Sequence, residues 1–553
     1  MSKTIYHNGT ILTMNPKQPV AKAVTVEDGR ITSTAAAVAI SQIRGYDAPA
    51  SAADPSSGRV SPGSSAPHTS SRTRYVDLKG ATMLPAFLDA HSHFSGYANS
   101  LLQVPLEEAA GFGEIVAQIR SYLSQNGVPA GVWVIGKGYD HNRLKEGSHP
   151  DRILLDEAAP DNPLVIQHQS GHMGVFNTAA LQLLNITSDT PCPSGGRIEI
   201  RDGRPTGYLE ENAFVSFLQK VPMPSVEDLM ASYVRAQEKY ASYGITTLQE
   251  GMLPLQLVPL YRTLMERNLL KLDVVGYADA KEAGAIMSAL PDCRNVYRNH
   301  FKLGGMKIFL DGSPQGRTAW MRAPYSDSRD YCGYGTLTDE ELERFLTLSV
   351  RENAQLLAHC NGDAAAAQFL RACQKAEDQG LPFKSLRPVL IHGQLLGADQ
   401  LPAVRQLGAI PSFFVAHVYY WGDIHVQNFG FRRASRISPA ASALAEGIPF
   451  TFHQDAPVIQ PDMLETLWCS AVRLTKGGVK LDAEAIPVEE ALKAVTIHAA
   501  YQYFEENEKG SIESDKRADF VILDKNPLDV DPMELRKIRV LETVKDGETV
   551  FER

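Results

Sequence analysis

The chain has 553 residues, 44% of them hydrophobic and 21% charged, a balance that argues against a disordered, collagenous or disulfide-scaffolded protein. Its 54 basic and 64 acidic side chains give a net charge of -10, which disfavours a nucleic-acid partner, and no run of about 18 apolar residues offers a membrane span. Six scattered cysteines form no Cys-x-x-Cys pair, and the first residues lack the apolar segment of a secretory signal. Both point to free thiols and a cytoplasmic setting.

Short strands are predicted at residues 4–7, 10–14 and 23–27, with Asn8-Gly9 and Asp28-Gly29 as hairpin turns between apolar runs. Residues 520–523, 540–545 and 549–551 read the same way around Asp546-Gly547, so both chain ends are expected to build one small sheet domain, 1–82 with 505–553. Between residues 48 and 71, 19 of 24 positions are Ala, Ser, Pro or Gly, which predicts a mobile loop with a solvated His68. From 83 to about 504 strands and helices alternate. Strands are expected at 355–358, 388–391, 409–415 and 449–452, and helices at 363–378, near 398–407 and at 489–504. Such alternation implies parallel strands with crossovers, and its length fits a (β/α)8 barrel. Residues 95–230, with strand-like 133–137 and 164–168, read as an insertion over the barrel mouth.

The chemistry gathers at strand ends. Leu84-Pro85-Ala86-Phe87-Leu88-Asp89-Ala90-His91-Ser92-His93 is an apolar run ending in His-x-His, and residues two apart on a strand share a face. Barrel active sites lie at the C-terminal ends of strands, where two imidazoles make half of a divalent-metal site. The runs ending in His359, in His392 and in His453-Gln454-Asp455 repeat that placement. Together they predict a metal centre.

The order of these elements resembles the amidohydrolase superfamily and, more narrowly, its YtcJ-like branch, which includes N-substituted formamide deformylase. The likeness runs over nearly the whole chain. It includes the opening Asn8-Gly9-Thr10-Ile11-Leu12-Thr13-Met14-Asn15 and the 85–93 segment. It continues through Ser170-Gly171-His172, Lys307-Ile308-Phe309-Leu310-Asp311-Gly312-Ser313, His359 with Gly362-Asp363-Ala364, and Lys516-Arg517-Ala518-Asp519. Departures are Ala86 where relatives often carry Gly, Asp515 where a Gly commonly precedes the late Lys, and the long 48–71 segment; none touches a proposed ligand.

The resemblance implies an α/β protein, a distorted TIM (β/α)8 barrel flanked by a small β-sandwich. It implies a metal-dependent hydrolase of C–N bonds (amide, N-acyl or N-formyl) in a small molecule. Carried over, His91, His93, His359, His392 and Asp455 are ligands of one or two divalent ions, zinc above all, and Asp455 also carries the proton. Lys307 sits where a carboxylated lysine often bridges two metals: a neutral amine that takes up carbon dioxide becomes an anionic carbamate. The other reading of Lys307 is a cation holding a carbonyl or carboxylate behind the ligands. Glu250 is a competing strand-end anion, a ligand if Lys307 is not, and otherwise read as contacting substrate or supporting the ligands. His172 is read as a mouth residue donating to the substrate or as a structural hydrogen bonder. Asp311 and Arg317 either shape the pocket or form internal ion pairs. Phe413, Phe414, Tyr419, Tyr420 and Trp421 are an apolar pocket or core. His417 and His425 have no assigned role, His498 is structural, and Cys360 points away from the site. Homodimers are common among similar enzymes. The competing functions are deamination of a cyclic or amidine-type compound by the same activated water, and a metal-free scaffold, which should show broken ligands.

Overall fold

The computed structural model describes residues 3–35, 73–222 and 224–553; the 48–71 segment and its His68 lie outside them. Contacts divide the chain into two compact units, Met1–Phe94 with Gln237–Arg553, and Ser95–Ala236.

The first unit holds two sheets. One has eight strands and is built from both chain ends. Lys3–Leu12 lies at its centre, flanked on one side by the hairpin Val20–Glu27 and Arg30–Ala35. On the other side follow Thr82–Pro85, Phe520–Leu523, Val540–Lys545 and Glu548–Glu552, while Thr73–Asp77 pairs separately with Lys3–Leu12. Asp28-Gly29 and Asp546-Gly547 make the expected tight turns, all four residues having positive φ. Asn8-Gly9 does not. One strand runs through it, with a shift of register between His7 and Ile11, and a Cβ on Gly9 would lie 2.5 Å from the Ala81 carbonyl oxygen. Close backbone approach, rather than a chain reversal, requires that glycine.

The other sheet is parallel and runs in chain order: Phe87–Leu88, Ile245–Leu253, Asp273–Asp279, Phe301–Phe309, Gln355–Cys360, Val389–His392, Ile410–Phe413 and Thr451–Phe452. Its strands are buried almost throughout, the pattern of a parallel sheet covered by its crossover helices. The helix Asp339–Arg351 illustrates a crossover: a Thr338/Glu341 capping box opens it, and Leu342 and Leu346 are buried. Inside the curl, Leu88, Val275, Tyr277, Leu357, Ile391 and Tyr503 form one core. The sheet ends meet beyond the last strands, where His93 N–H donates to the Ala456 carbonyl at 2.8 Å. The helical stretch expected at 489–504 is two helices, Val488–Ala494 and Ile497–Gln502. Among the described residues no helix is long and apolar enough to cross a membrane.

The Ser95–Ala236 unit has its own six-stranded mixed sheet, in the order Gly196–Arg201, Arg204–Glu210, Met173–Phe176, Leu164–His168, Val134–Tyr139, Val104–Pro105. The last three are parallel to one another. The helices Phe112–Gln125 and Arg152–Ala158 share a core with them through Ile115, Ile119, Leu155 and Ile166.

Candidate metal centre

At the C-terminal edge of the parallel sheet six predicted residues come together. His91 and His93 lie just past the two-residue strand Phe87–Leu88, so a connecting segment, not strand alternation, brings their rings to 5.2 Å of each other. A Cβ on Gly251 would stand 2.6 Å from His91 Cε1, so only glycine admits this packing. Asp455 Oδ1 is 3.6 Å from His91 Nε2 and 3.5 Å from His93 Nε2, and Asp455 Oδ2 is 4.0 Å from His392 Nε2. Lys307 Nζ is 3.2 Å from His91 Nε2. The rings of His359 and His392 are 4.6 Å apart. His392 and Asp455 both hold positive φ, 74° and 54°, a strained backbone for residues other than glycine.

Partners behind these histidines fix the ring orientations. Gln249 Nε2 donates to the Ala90 carbonyl and the Tyr503 hydroxyl, so its Oε1, 2.6 Å from His91 Nδ1, accepts the imidazole proton. His91 Nε2 is left as a lone pair facing Asp455. Asp311 Oδ1 lies 3.2 Å from His359 Nδ1 and accepts from Asn361 N–H, while its Oδ2 accepts from Gly362 and Trp320 N–H. The chain Ser412 Oγ, His453, His392 continues the pattern at 2.9 and 3.1 Å. A carboxylate or amide on the far ring nitrogen is the usual way a ligating imidazole is held.

Burial sets the electrostatics. It holds the imidazoles of His91, His392 and His453 well below their ordinary value, and His93 down to about 3. All four are neutral at pH 7, the form that ligates metal. Burial also lowers the Lys307 amine to about 7 and raises the Asp455 carboxyl to about 7, each opposed by the other's charge. Asp455 Oδ1 is buried without a hydrogen-bond partner. An orphaned carboxylate oxygen between two imidazole nitrogens fits a divalent cation. Ligands ~2.1 Å from a tetrahedral ion stand ~3.4 Å apart, close to the separations here.

The remaining candidates fall elsewhere. Asp311 stands behind His359 and accepts from the N–H groups of Asn361, Gly362 and Trp320, which makes it a support for that ring. Arg317 forms a two-point ion pair with Asp327, 2.6 Å at Nη1, the internal pairing that was one of its two readings. Glu250 is fully buried and accepts from the Tyr261 hydroxyl at 2.6 Å. Strand alternation turns it opposite to Gln249, whose side chain reaches His91. His172 belongs to the Ser95–Ala236 unit, exposed, with Nδ1 3.1 Å from Glu211. Phe414 is buried against His453 and His417, whereas the Tyr420 hydroxyl donates to Glu465. His417 and His425 stack on each other with ring nitrogens 3.1 Å apart, and His498 Nδ1 bonds the Phe450 carbonyl. Burial pushes the Cys360 thiol up, which suits an inert side chain. Gln249, Ser412 and His453 escaped the reading from sequence. His453 stands two residues before Asp455, the one local signal among them.

Comparison with known proteins agrees with this architecture. A model of the Amidohydrolase family matches residues 74–551. YtcJ of Bacillus subtilis is 26% identical over 100% of both chains. N-substituted formamide deformylase of Arthrobacter pascens is 27% identical over 99% of this chain and 98% of its own. A solved structure of an uncharacterized metal-dependent hydrolase from Pyrococcus horikoshii has the same fold, with a TM-score of 0.71 at 24% identity over 96% of this chain and 99% of that one. The chain belongs to the amidohydrolase family.

Proposed function

We propose that this protein is a metal-dependent hydrolase that cleaves a C–N bond, of the amide, N-acyl or N-formyl kind, in a small molecule. The observation that carries the reading is the convergence of His91 Nε2 and His93 Nε2 on the unpartnered Oδ1 of Asp455. In this reading His91, His93, His359, His392 and Asp455 hold one or two divalent ions, zinc by donor type, and the distorted barrel with its terminal sheet domain carries them. Lys307 is the candidate bridge: a buried amine drawn down to about 7 is partly neutral at pH 7 and can take up carbon dioxide as a carbamate. Similarity to N-substituted formamide deformylase favours the N-formyl class.

A bound divalent ion supplies Lewis acidity and makes water a stronger acid. The chain's own residues do the rest. Asp455 takes the proton from the attacking water and passes it to the leaving nitrogen. Gln249 and Asp311 keep the His91 and His359 rings from turning. The test is metal content per chain by elemental mass spectrometry, with a panel of N-formyl and N-acyl amines. Two ions lost on His91→Ala/His93→Ala, with formate or carboxylate release by the wild type, support the reading with Lys307 as bridge; one ion lost, with the same products, retains the hydrolase and moves Lys307 to support. Ammonia release without a carboxylate product makes the protein a deaminase. No ion and no turnover after zinc reconstitution overturns the proposal.

A further inference from the structure

The Ser95–Ala236 unit carries a second gathering of ligating side chains that the proposed reaction does not use. Val134–Tyr139 and Leu164–His168 are parallel neighbours, with Tyr139 opposite His168. Asp140 and His141 follow the first strand and His168 ends the second, so three polar side chains share one C-terminal strand edge. His141 Nδ1 is 3.2 Å from His168 Nε2; Asp140 Oδ1 is 3.4 Å from His168 Nε2 and 3.9 Å from His141 Nδ1. These separations bracket the ~3.4 Å edge of a tetrahedron of donors around a zinc-sized ion. Asp140 and His168 are buried, while the His141 side chain is 28% exposed and leaves a route for solvent.

We propose that Asp140, His141 and His168 form a second divalent-cation site, of the zinc class, within residues 95–236. Two imidazoles and a carboxylate are a borderline donor set suited to such ions, and three protein ligands leave one position for water. The supporting shell is in place. Asn142 donates to Asp140 Oδ1 from its backbone and its side chain, at 3.0 and 3.1 Å, and Gln169 Nε2 donates to Oδ2 at 2.6 Å, which fixes the carboxylate. Ser170 holds the His168 ring, its N–H donating to Nδ1 at 3.1 Å and its Oγ lying 2.9 Å from the same nitrogen, so that Nε2 faces Asp140 and His141. His149 stacks on His141 at 4.0 Å and takes a hydrogen bond from the Tyr139 hydroxyl, which limits how far the His141 ring can turn. The bound ion clasps the segment after Tyr139 to the neighbouring strand end.

The experiment uses the full chain and zinc alone, independently of any substrate. Metal content after equilibrium dialysis is compared for wild type, His91→Ala/His93→Ala, His141→Ala/His168→Ala and the quadruple variant. The expected result is one ion fewer in His141→Ala/His168→Ala, one ion retained in His91→Ala/His93→Ala, and none in the quadruple variant. Cobalt titration of His91→Ala/His93→Ala should give the absorption bands of a nitrogen-and-oxygen-ligated ion, saturating at one equivalent. Should His141→Ala/His168→Ala fail to fold by circular dichroism, Asp140→Asn in the His91→Ala/His93→Ala background replaces it, with at least tenfold weaker cobalt binding expected. The proposal is overturned if His91→Ala/His93→Ala binds no ion, or if removing His141 and His168 leaves the metal content unchanged.

Discussion

The first unit buries two sets of charged groups, and they behave in opposite ways. At the start of the parallel strands Asp273 meets Lys509 and Lys545 at 2.5 and 3.1 Å, Lys509 also meets Glu505 at 2.7 Å, and Lys302 pairs with Glu505. Burial alone would raise these carboxyl groups, but the lysines beside them hold Asp273 well below the ordinary range and Glu505 at about 2. Lys509 is drawn up by Asp273 and Glu505 against its own burial. At the other edge Lys307 and Asp455 drift to about 7 from opposite sides, and four imidazoles are neutral. A buried set in which every charge meets an opposite one is complete as folded and serves as a rivet between the two sheets. A set of lone pairs around an orphaned carboxylate oxygen is completed by a cation. Burial is common to both; direct pairing of opposite charges separates them.

This contrast can be broken or sharpened by substitution. Asp455→Asn should lower kcat/KM for a cleaved formamide by 10²- to 10⁴-fold, the range of a lost proton carrier, while the protein keeps its metal. Near-normal turnover in that variant would break the assignment. Asp273→Asn should leave metal content alone yet cost about 3–5 kcal/mol of stability, because two buried lysines lose their shared partner. A urea unfolding midpoint equal to wild type would show that the network is not a rivet. Gln249→Leu removes the acceptor on His91 Nδ1 and should weaken metal affinity about 10- to 100-fold, read by chelator competition. The smallest effect is in pH. Glu505 has a folded value of about 2 against an ordinary 4.5, so its share of stability is fully present above 4.5 and lost as pH falls toward 2. Unfolding free energies at about pH 5 and about pH 3 should therefore differ more in wild type than in Glu505→Gln.

How much of this was legible in the sequence depended on whether the signal was local. Gln355–Cys360 and Val389–His392 are buried on both faces, so they read as apolar runs, and a histidine at or near the end of such a run stands out. Asp455 was marked by its place at the end of an apolar run, whereas Lys307, inside its strand, needed the family resemblance. Gln249 lies 158 positions from the ring it orients, and Ser412 lies 41 from His453. A contact made across a curled sheet leaves no pattern along the chain. For Asp311 and Arg317 the sequence left two readings open, a pocket role or an internal ion pair, because polar loops after strands serve both. Their partners, backbone N–H groups in one case and Asp327 in the other, could be counted only in three dimensions. Asn8-Gly9 misled for a simpler reason: the dipeptide favours a turn, but strand pairing on both sides of it overrode that preference.

The run 82–93 serves both sheets in turn, as Thr82–Pro85 in the terminal sheet and Phe87–Leu88 in the parallel one, before it reaches His91 and His93. Its antiparallel partner is Phe520–Leu523, and Tyr503 bonds the Asp89 carbonyl from 414 positions away. A ribosome must therefore finish almost the entire polypeptide before the first two histidines are anchored. Closing so large a loop is entropically slow, and the nascent chain waits with an unpaired strand edge. A truncation after the parallel sheet but before Phe520 would therefore take from the run that leads to His91 and His93 its antiparallel partner strand.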